Sequence, residues 1–178
     1  MRRVLSILVL VSLCLFAQNA LSNLKIGEIP KTVTLKDDAG GRLDGTPWSS
    51  SELTGKVSIL FYVDPDEKDL NNPASEALKA EAFPLEKYQS YGIINMAATW
   101  LPNFAISSSL KKKQKIYTST IYVRDYDKTL VKEWGIADEN SDVLAFDKSG
   151  KLIFKKEGQL TDDEIKLLIK TIRDHLDK

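Results

Sequence analysis

The pattern of apolar and polar residues predicts a series of strands. Val57–Val63 is almost entirely apolar, and residues 91–96 have the same character. Short, continuous apolar runs of this kind are typical of strands buried on both faces of a sheet. Residues 116–124 alternate between apolar and polar side chains and predict a further strand. Residues 143–146 and 151–156 flank the turn sequence DKSG and predict a hairpin.

Apolar residues at helical spacing predict helices between and after these strands. Residues 103–115 and Thr129–Trp134 are the two internal candidates. The side chains expected to point inward from the first are Phe104, Ile106 and Leu110. The last helix has the clearest signal, because Thr161 and Glu164 form a capping box before an apolar stripe. That stripe consists of Ile165, Leu168, Ile169, Ile172 and Leu176.

Two further segments have local signals of their own. Residues 32–44 alternate around the turn-forming sequence DDAGG and predict a β-hairpin. Residues 66–83 are helical by composition but contain Pro73. Either this proline kinks one long helix, or Asn72 caps a fresh helix that has Pro73 in its first position.

The predicted order is hairpin, strand, helix, strand, helix, strand, short helix, strand, hairpin turn, strand, helix. Strand–helix–strand units followed by an antiparallel hairpin and a packing helix are typical of an α/β domain with three layers. Residues 21–178 are expected to form this domain.

Residues 1–20 have the layout of a secretory signal peptide. Arg2 and Arg3 precede an apolar run of thirteen residues, which is too short to span a bilayer comfortably, and small and polar residues follow. We expect cleavage after Ala20 and a periplasmic location. A lipoprotein signal at Cys14 is the alternative, but it needs a small residue in place of Leu13.

Loss of the leader restricts the chemistry of the mature chain. Cys14 is the single cysteine of the sequence, and His175 is its single histidine. A mature chain without cysteine excludes disulfide exchange, a cysteine nucleophile and the usual zinc sites. Removal of residues 1–20 leaves 23 basic and 25 acidic residues. A net charge of −2 gives no basic face for nucleic acid, and we expect no nucleic-acid partner and no membrane span.

Several stretches resemble known bacterial proteins. "GEIPKTVTL", "LTGKVSILFY" and "VLAFDKSGKLIFKKEGQLTDDEI" are similar to pieces of the thioredoxin-like superfamily, including its secreted peroxiredoxin and TlpA-type members. More specifically, "LNNPASEALKAEAFPLEKYQS", "SSLKKKQK" and "EWGIADENSDVLAFDKSGKL" resemble the YtfJ-type family of periplasmic proteins. The resemblance implies a thioredoxin-like three-layer α/β fold with an N-terminal β-hairpin extension.

The resemblance also locates the redox motif that this chain has lost. In thioredoxin-like proteins a cysteine pair opens the first long helix, five residues before a kinking proline. With Pro73 as that proline, the pair falls at Pro65 and Lys68, whereas counting from Gly55 and Lys56 places it about two residues later. Either way the pair falls within residues 64–70, which contain no cysteine, and Ser141 occupies the place of the usual cis-proline. The sequence thus excludes a thiol-disulfide oxidoreductase and a peroxiredoxin. The chain departs from the family most clearly in "YVDPDEKD" and "MAATWLPNF".

The acidic loop after the first buried strand allows three interpretations. Its acids can cap a helix N-terminus. They can bind calcium through Asp64, Asp66 and Asp69, although the glycine and distal glutamate of a calcium loop are missing. They can also form a binding edge, a polar groove made by the loop and by Ser141 and Asp142. The residues of the candidate edge are Asp64, Asp66, Glu67, Lys68, Asp69, Trp100, Ser141 and Asp142.

The three tryptophans differ in their expected roles. Trp48 and Trp134 lie beside packed elements and are interpreted as core residues. Trp100 lies in the loop after the second buried strand, at the edge where open α/β sheets place ligands, and binding and packing remain equal alternatives.

We therefore predict a secreted, redox-inactive thioredoxin-fold protein that acts by binding. Its partner is expected to be another envelope protein or a small ligand, without a cofactor or a catalytic residue. The alternative is an enzyme, metal-assisted or carboxylate-based, that uses the acidic edge at residues 64–69.

Overall fold

The computed structural model describes residues 24–177, and the predicted leader lies outside the described residues. Within this range the chain forms eight strands and four α-helices. The strands are β1 (Thr34–Leu35), β2 (Gly40–Arg42), β3 (Trp48–Ser49), β4 (Val57–Val63), β5 (Tyr88–Asn95), β6 (Thr120–Asp125), β7 (Ser141–Phe146) and β8 (Leu152–Lys156). The helices are α1 (Asn72–Ala80), α2 (Asn103–Ile116), α3 (Thr129–Trp134) and α4 (Asp162–Leu176).

Six of the described strands form one sheet in the order β2-β6-β5-β4-β7-β8. β4 is parallel to β5, and β5 is parallel to β6, whereas β7 is antiparallel to β4. β4 therefore lies inside the sheet, and Val57, Ile59 and Leu60 are fully buried. The prediction that this apolar run is a strand buried on both faces is confirmed.

Each face of the sheet carries its own layer. α1, α2 and α4 cover one face, where Ile59 and Ala145 of the sheet pack with Leu168 of α4. On the other face, Leu60 of β4 packs with Trp48 of the N-terminal extension and with residues of α3. This burial of both faces by separate layers confirms the three-layer α/β architecture.

The N-terminal extension forms an antiparallel pair of strands, but not the one predicted for residues 32–44. β1 pairs with β3, and β2 pairs with β6 at the margin of the large sheet. Gly40 and Gly41 have positive φ angles, and a Cβ atom added at Gly40 would collide with the main-chain oxygen of Arg124 in β6. The two glycines thus permit close approach to β6 rather than a hairpin turn.

The proline segment follows the second alternative, with a shift of one residue. A short 3-10 helix at Pro65–Glu67 ends before α1, which begins at Asn72 and has Pro73 in its first turn. The N-cap is Asn71 rather than Asn72, and its side chain does not cap the helix. The reason is that the Asn71 amide is engaged elsewhere, as described below.

The three helices after α1 agree with the sequence prediction except at one side chain. α3 and the capping box of α4 lie where predicted. Ile106 and Leu110 of α2 are buried, but Phe104 is 78% exposed and does not point inward. Residues two apart on a helix do not share a face, so Phe104 cannot join the stripe that begins at Ile106. None of the helices in residues 24–177 is long and apolar enough to cross a membrane.

Candidate functional site

The predicted binding edge lies where β4 and β5 end and β7 begins. Val63, the last residue of β4, pairs with Ser141, the first residue of β7. The acidic loop that follows β4 is therefore a neighbour of Ser141, as expected from the sequence. That this edge binds a partner stays a prediction.

Asp64 caps the 3-10 helix that opens the acidic loop. Its side chain is buried, and its Oδ1 atom accepts a hydrogen bond from the Asp66 main-chain N–H at 2.8 Å. Burial raises the pKa of Asp64, and the charges of Asp66, Glu67 and Glu139 raise it further. This carboxylate thus stabilises the start of the loop and is turned away from solvent.

The other charged residues of the loop face solvent. Asp66, Glu67, Lys68 and Asp69 are exposed, and Asp69 accepts a hydrogen bond from the Asn72 amide at 3.0 Å. Within residues 24–177, no three His, Cys, Asp or Glu side chains are placed to hold a metal ion. Of the three carboxylates considered for calcium, Asp64 is a buried helix cap, whereas Asp66 and Asp69 are exposed to solvent.

Asn71 connects three parts of the edge and was not among the site residues predicted from the sequence. Its buried amide nitrogen donates hydrogen bonds to the main-chain oxygens of Ser141 and Gly158, both at 3.0 Å. Its amide oxygen accepts a hydrogen bond from the Leu160 N–H at 3.0 Å. The start of α1 is thereby attached to β7 and to the segment before α4. The signal available in the sequence was an asparagine directly before Asn72 and Pro73.

Asp142 does not line a groove with Ser141, contrary to the prediction. Successive side chains of a strand point to opposite faces, so Asp142 lies on the face of the sheet opposite to Ser141. It is fully buried, and its Oδ2 atom accepts a hydrogen bond from the Ala137 N–H at 2.8 Å. Burial raises the pKa of Asp142 to about 7, and the charge of Glu157 contributes in the same direction.

A third buried carboxylate, Asp125, was not predicted from the sequence. It ends β6 and accepts hydrogen bonds from the main-chain N–H groups of Thr129 and Leu130, at 2.9 and 3.1 Å, so that it caps α3. The hydroxyl of Tyr62 donates a further hydrogen bond to it at 3.1 Å. Burial raises the pKa of Tyr62, and the charge of Asp125 adds to this effect. An acid a few residues before a short helix is the signal that predicts such a cap.

Further polar side chains lie beside Asp125, on the same face of the sheet. The amide of buried Asn95 donates a hydrogen bond to Asp138 at 2.9 Å, and Lys128 forms an ion pair with Asp138 at 2.7 Å. Partial burial raises the pKa of Asp138, but the bonds from Lys128 and Asn95 outweigh it, so the pKa lies below its ordinary value. These contacts hold the loop after α3 against the sheet.

The three tryptophans differ in burial. Trp48 and Trp134 are buried, which confirms their interpretation as core residues. Trp100 is 87% exposed in the loop between β5 and α2, close in sequence to the exposed Phe104. Two large aromatic side chains thus face solvent at the predicted edge.

A groove of about 240 Å³ opens between α1 and α2. Its floor is formed by Phe61, Gly92 and Tyr122, which lie side by side on β4, β5 and β6. A Cβ atom at position 92 would lie 3.0 Å from the Tyr122 ring, so the glycine gives this ring room to lie over β5. We call this feature the α1–α2 groove.

The α1–α2 groove reaches the predicted binding edge. Pro65, Lys68 and Ser141 line one end of it, together with Leu101, which follows Trp100. Hydroxyl groups and Lys113 line the other end. Among the described residues that line the groove, there is no aspartate or glutamate. A concave site with an apolar floor and a small number of polar groups is the usual form of a ligand-binding site.

Comparisons with known sequences identify the family. Residues 26–175 match the family model described as "Bacterial protein of unknown function (YtfJ_HI0045)". An uncharacterized protein of Haemophilus influenzae is 34% identical over 131 residues, which cover 71% of this chain and 70% of that protein. The uncharacterized protein YtfJ of Escherichia coli is 30% identical over 122 residues, 66% of each chain.

Solved structures with the same fold are thioredoxin-like proteins. The exposed lipoprotein thioredoxin Etrx1 of Streptococcus pneumoniae superposes with a TM-score of 0.55 at 18% identity, covering 81% of this chain and 99% of its own. The thioredoxin domain of a Bacteroides vulgatus thiol-disulfide oxidoreductase gives a TM-score of 0.57 at 17% identity, covering 83% and 96%. These similarities show the fold and confirm the predicted class. The chain therefore belongs to the YtfJ family of bacterial proteins of unknown function and has a thioredoxin-like fold.

Proposed function

We propose that this chain is a secreted binding protein of the bacterial envelope that performs no thiol chemistry. Its binding face is the α1–α2 groove and the edge of the sheet at which the groove opens. The observation that carries this proposal is the lining of the groove by Pro65 and Lys68. Both lie in the segment of residues 64–70 to which the thioredoxin resemblance assigns the redox pair, and this segment contains no cysteine.

The sequence supports secretion and the loss of redox function together. Residues 1–20 have the layout of a leader, and cleavage after Ala20 removes Cys14. Dithiol exchange needs two cysteines close to one another, and the full sequence has one. Without a cysteine pair, the edge is suited to binding a partner rather than to electron transfer.

Exposed aromatic side chains support a binding role for this edge. Trp100 and Phe104 expose most of their surface next to the mouth of the groove, which Leu101 lines. Tryptophan and phenylalanine are enriched at protein interfaces, where their large apolar surface is removed from water. An envelope protein docked on these two rings would also cover the groove.

Site-specific photocrosslinking in living cells tests the proposal. A photoreactive amino acid at Trp100 should give a discrete adduct in the periplasm. The control is the same probe at Leu167, an exposed residue on the outer face of α4. Labelling from Trp100 that cannot be distinguished from labelling at Leu167 would refute a binding role for the edge.

Secretion is tested separately by fractionation and intact mass. We expect the protein in the periplasmic fraction, with a mass that corresponds to a chain starting at residue 21. A full-length chain in the cytoplasmic fraction would contradict the proposed location. A lipid-modified chain starting at Cys14 would support the lipoprotein alternative instead.

A further inference from the structure

We infer that the α1–α2 groove binds a small amphipathic monoanion, namely a free carboxylic acid with an unbranched apolar chain of medium length. This inference rests on the proposed function, because it specifies what the binding face holds. The apolar floor, the unpaired lysines and the pairing of β4 and β5 on both sides at the centre of the groove support it independently of one another.

The floor and walls of the groove suit an apolar chain. Phe61 and Tyr122 are half-buried, because α1 packs toward α4 and α2 packs over Ile94, which leaves the strip between the helices uncovered. Ile106 and Leu110 of α2 form the apolar part of one wall. Burial of apolar ligand surface in such a strip is favourable in roughly direct proportion to its area.

The charges of the groove suit an anion. Lys68 and Lys113 line it, and the described lining residues include no carboxylate. Neither lysine forms an ion pair with any residue of 24–177, whereas Lys79, which lines the adjoining recess, pairs with Glu76. The full chain has equal numbers of basic and acidic residues. Glu76 borders the Lys113 end, where the Tyr117 hydroxyl donates a hydrogen bond to it at 3.0 Å, but its charge is paired with Lys79. The groove lining itself therefore has an excess of positive charge, which favours a negatively charged ligand.

The position of the carboxylate follows from the strand register. Ser90 pairs with Thr120 at the start of β6, and both line the groove near Lys113, in the last turn of α2. The Thr120 hydroxyl and the ammonium group provide hydrogen-bond donors for a carboxylate, whereas the Ser90 hydroxyl also contacts Tyr88. Lys68 is the weaker site for a carboxylate head, because exposed Asp66, Glu67 and Asp69 adjoin it.

The length of the groove sets the length of the chain. Ser90 and Ile94 are four residues apart on β5, and a strand rises about 3.3 Å per residue, so the groove floor extends about 13 Å from the polar end. A carboxylate at Lys113 would direct an apolar chain past Phe61 toward Ile94 and Val63. A medium-length unbranched chain fits this distance.

An extended peptide does not suit the same groove. β4 and β5, at the centre of its floor, are paired on both sides within the described sheet, whereas β6 is paired with β2 only at residues 123–125 on its outer side, away from the centre of the groove. Peptides that add to a sheet need an unpaired strand edge for their main-chain hydrogen bonds. The groove offers side-chain hydroxyls instead, which favours a small molecule over a peptide or a second copy of the chain.

Calorimetric titration of the purified protein with sodium octanoate, below the concentration at which it forms micelles, tests the inference. We expect one saturable site. Octanol should bind at least about tenfold more weakly, since it lacks the charge-assisted contact. Octylammonium and acetate should show no saturable heat, because the first has the wrong charge and the second has no chain to bury. Equal affinity for octanol and octanoate would overturn the inference.

Two pairs of variants locate the site. Lys113→Gln should weaken octanoate binding about tenfold, while Lys112→Gln, the neighbouring exposed lysine outside the groove lining, should leave it unchanged. Ser109→Phe should block the groove, and Ser108→Phe is its exposed control. Unchanged melting temperatures establish that each variant is folded. Equal binding by Lys113→Gln and Lys112→Gln would place the ligand elsewhere and overturn the inference.

The outcomes separate this inference from the proposed function. A position-specific adduct at Trp100 without any octanoate heat would overturn the amphipathic anion and leave the binding role of the edge intact. Octanoate binding that Ser109→Phe abolishes, together with equal labelling at Trp100 and Leu167, would support the groove ligand while refuting a protein partner at the edge. Failure of both experiments would refute both proposals.

Discussion

The side-chain amide of Asn71 donates a hydrogen bond to the main-chain oxygen of Ser141, with the two atoms 3.0 Å apart. The contact joins residues that lie 70 positions apart in the sequence. Because the same amide also contacts Gly158 and Leu160, one buried side chain fixes the start of α1 against β7 and the segment before α4. The edge that opens into the α1–α2 groove depends on this residue for its shape.

Asn71→Ala should therefore destabilise the protein by about 2–4 kcal/mol, because it leaves buried main-chain groups without their hydrogen-bond partners. The free energy of unfolding in urea measures the effect. The matched control is Asn72→Ala, since Asn72 is exposed and contacts Asp69 at the surface, and its effect should be within about 0.5 kcal/mol. Equal losses from the two substitutions would show that Asn71 does not hold the edge together.

Elements whose signals are local could be predicted from the sequence. The capping box at Thr161 and Glu164 and the stripe beyond it define α4, because all the necessary contacts lie within a few turns. The continuous apolar run of β4 likewise indicated its own burial. The alternation of Ser141 and Asp142 across β7 follows from strand geometry alone, so their placement on opposite faces was predictable and was missed.

Contacts between distant segments could not be predicted in this way. The DDAGG sequence has a hairpin pattern, but Gly40 and Gly41 serve close packing against β6, which is more than 80 residues away. The partners of Asn71 are equally remote. The groove itself arises from the spacing between α1 and α2, and no local pattern encodes the distance between two helices. The sequence therefore indicated the edge of the site but not its cavity.

Calcium or magnesium should not stabilise the protein. Asp64 is buried as a helix cap, while Asp66 and Asp69 face solvent, so the three carboxylates do not converge on one ion. Thermal melting with and without a millimolar divalent cation should give the same midpoint. A rise in the midpoint that Asp66→Asn combined with Asp69→Asn abolishes would establish a metal site and revive the alternative of a metal-assisted enzyme.

The protein should not reduce insulin with dithiothreitol as electron donor. Thiol exchange proceeds by attack of a thiolate on a disulfide. Because Cys14, the single cysteine, lies in the predicted leader, the processed chain is expected to have no cysteine. The measurement is the rate of insulin precipitation above the rate with dithiothreitol alone, with a thioredoxin as the positive control. Acceleration by the purified protein would contradict the absence of thiol chemistry.

Asp142 should make the stability of the protein depend on pH between about 4 and 7. Burial raises its pKa to about 7 in the folded state, while the carboxyl group of the unfolded chain keeps its ordinary value of 3.8. Below pH 4 both states hold the proton. Between pH 4 and pH 7 the unfolded state releases the Asp142 proton and the folded state retains it. The free energy of unfolding therefore falls as the pH rises. Above pH 7 both states are ionised and the loss is complete.

Asp142→Asn should remove this loss, because an amide keeps the shape of the protonated carboxyl group and does not ionise. One pKa unit corresponds to about 1.4 kcal/mol, so the variant should gain up to about 4 kcal/mol relative to the parent between pH 4 and pH 8. Urea unfolding across that range measures the gain.

Asp147→Asn is a control of opposite sign. Partial burial alone would raise the pKa of this turn aspartate, but hydrogen bonds from Ser149 and Lys151 outweigh burial and lower the pKa. It should destabilise the protein at neutral pH and lose its effect in acid. Parallel stability profiles for the parent and Asp142→Asn would show that Asp142 is ionised in the folded protein throughout this range.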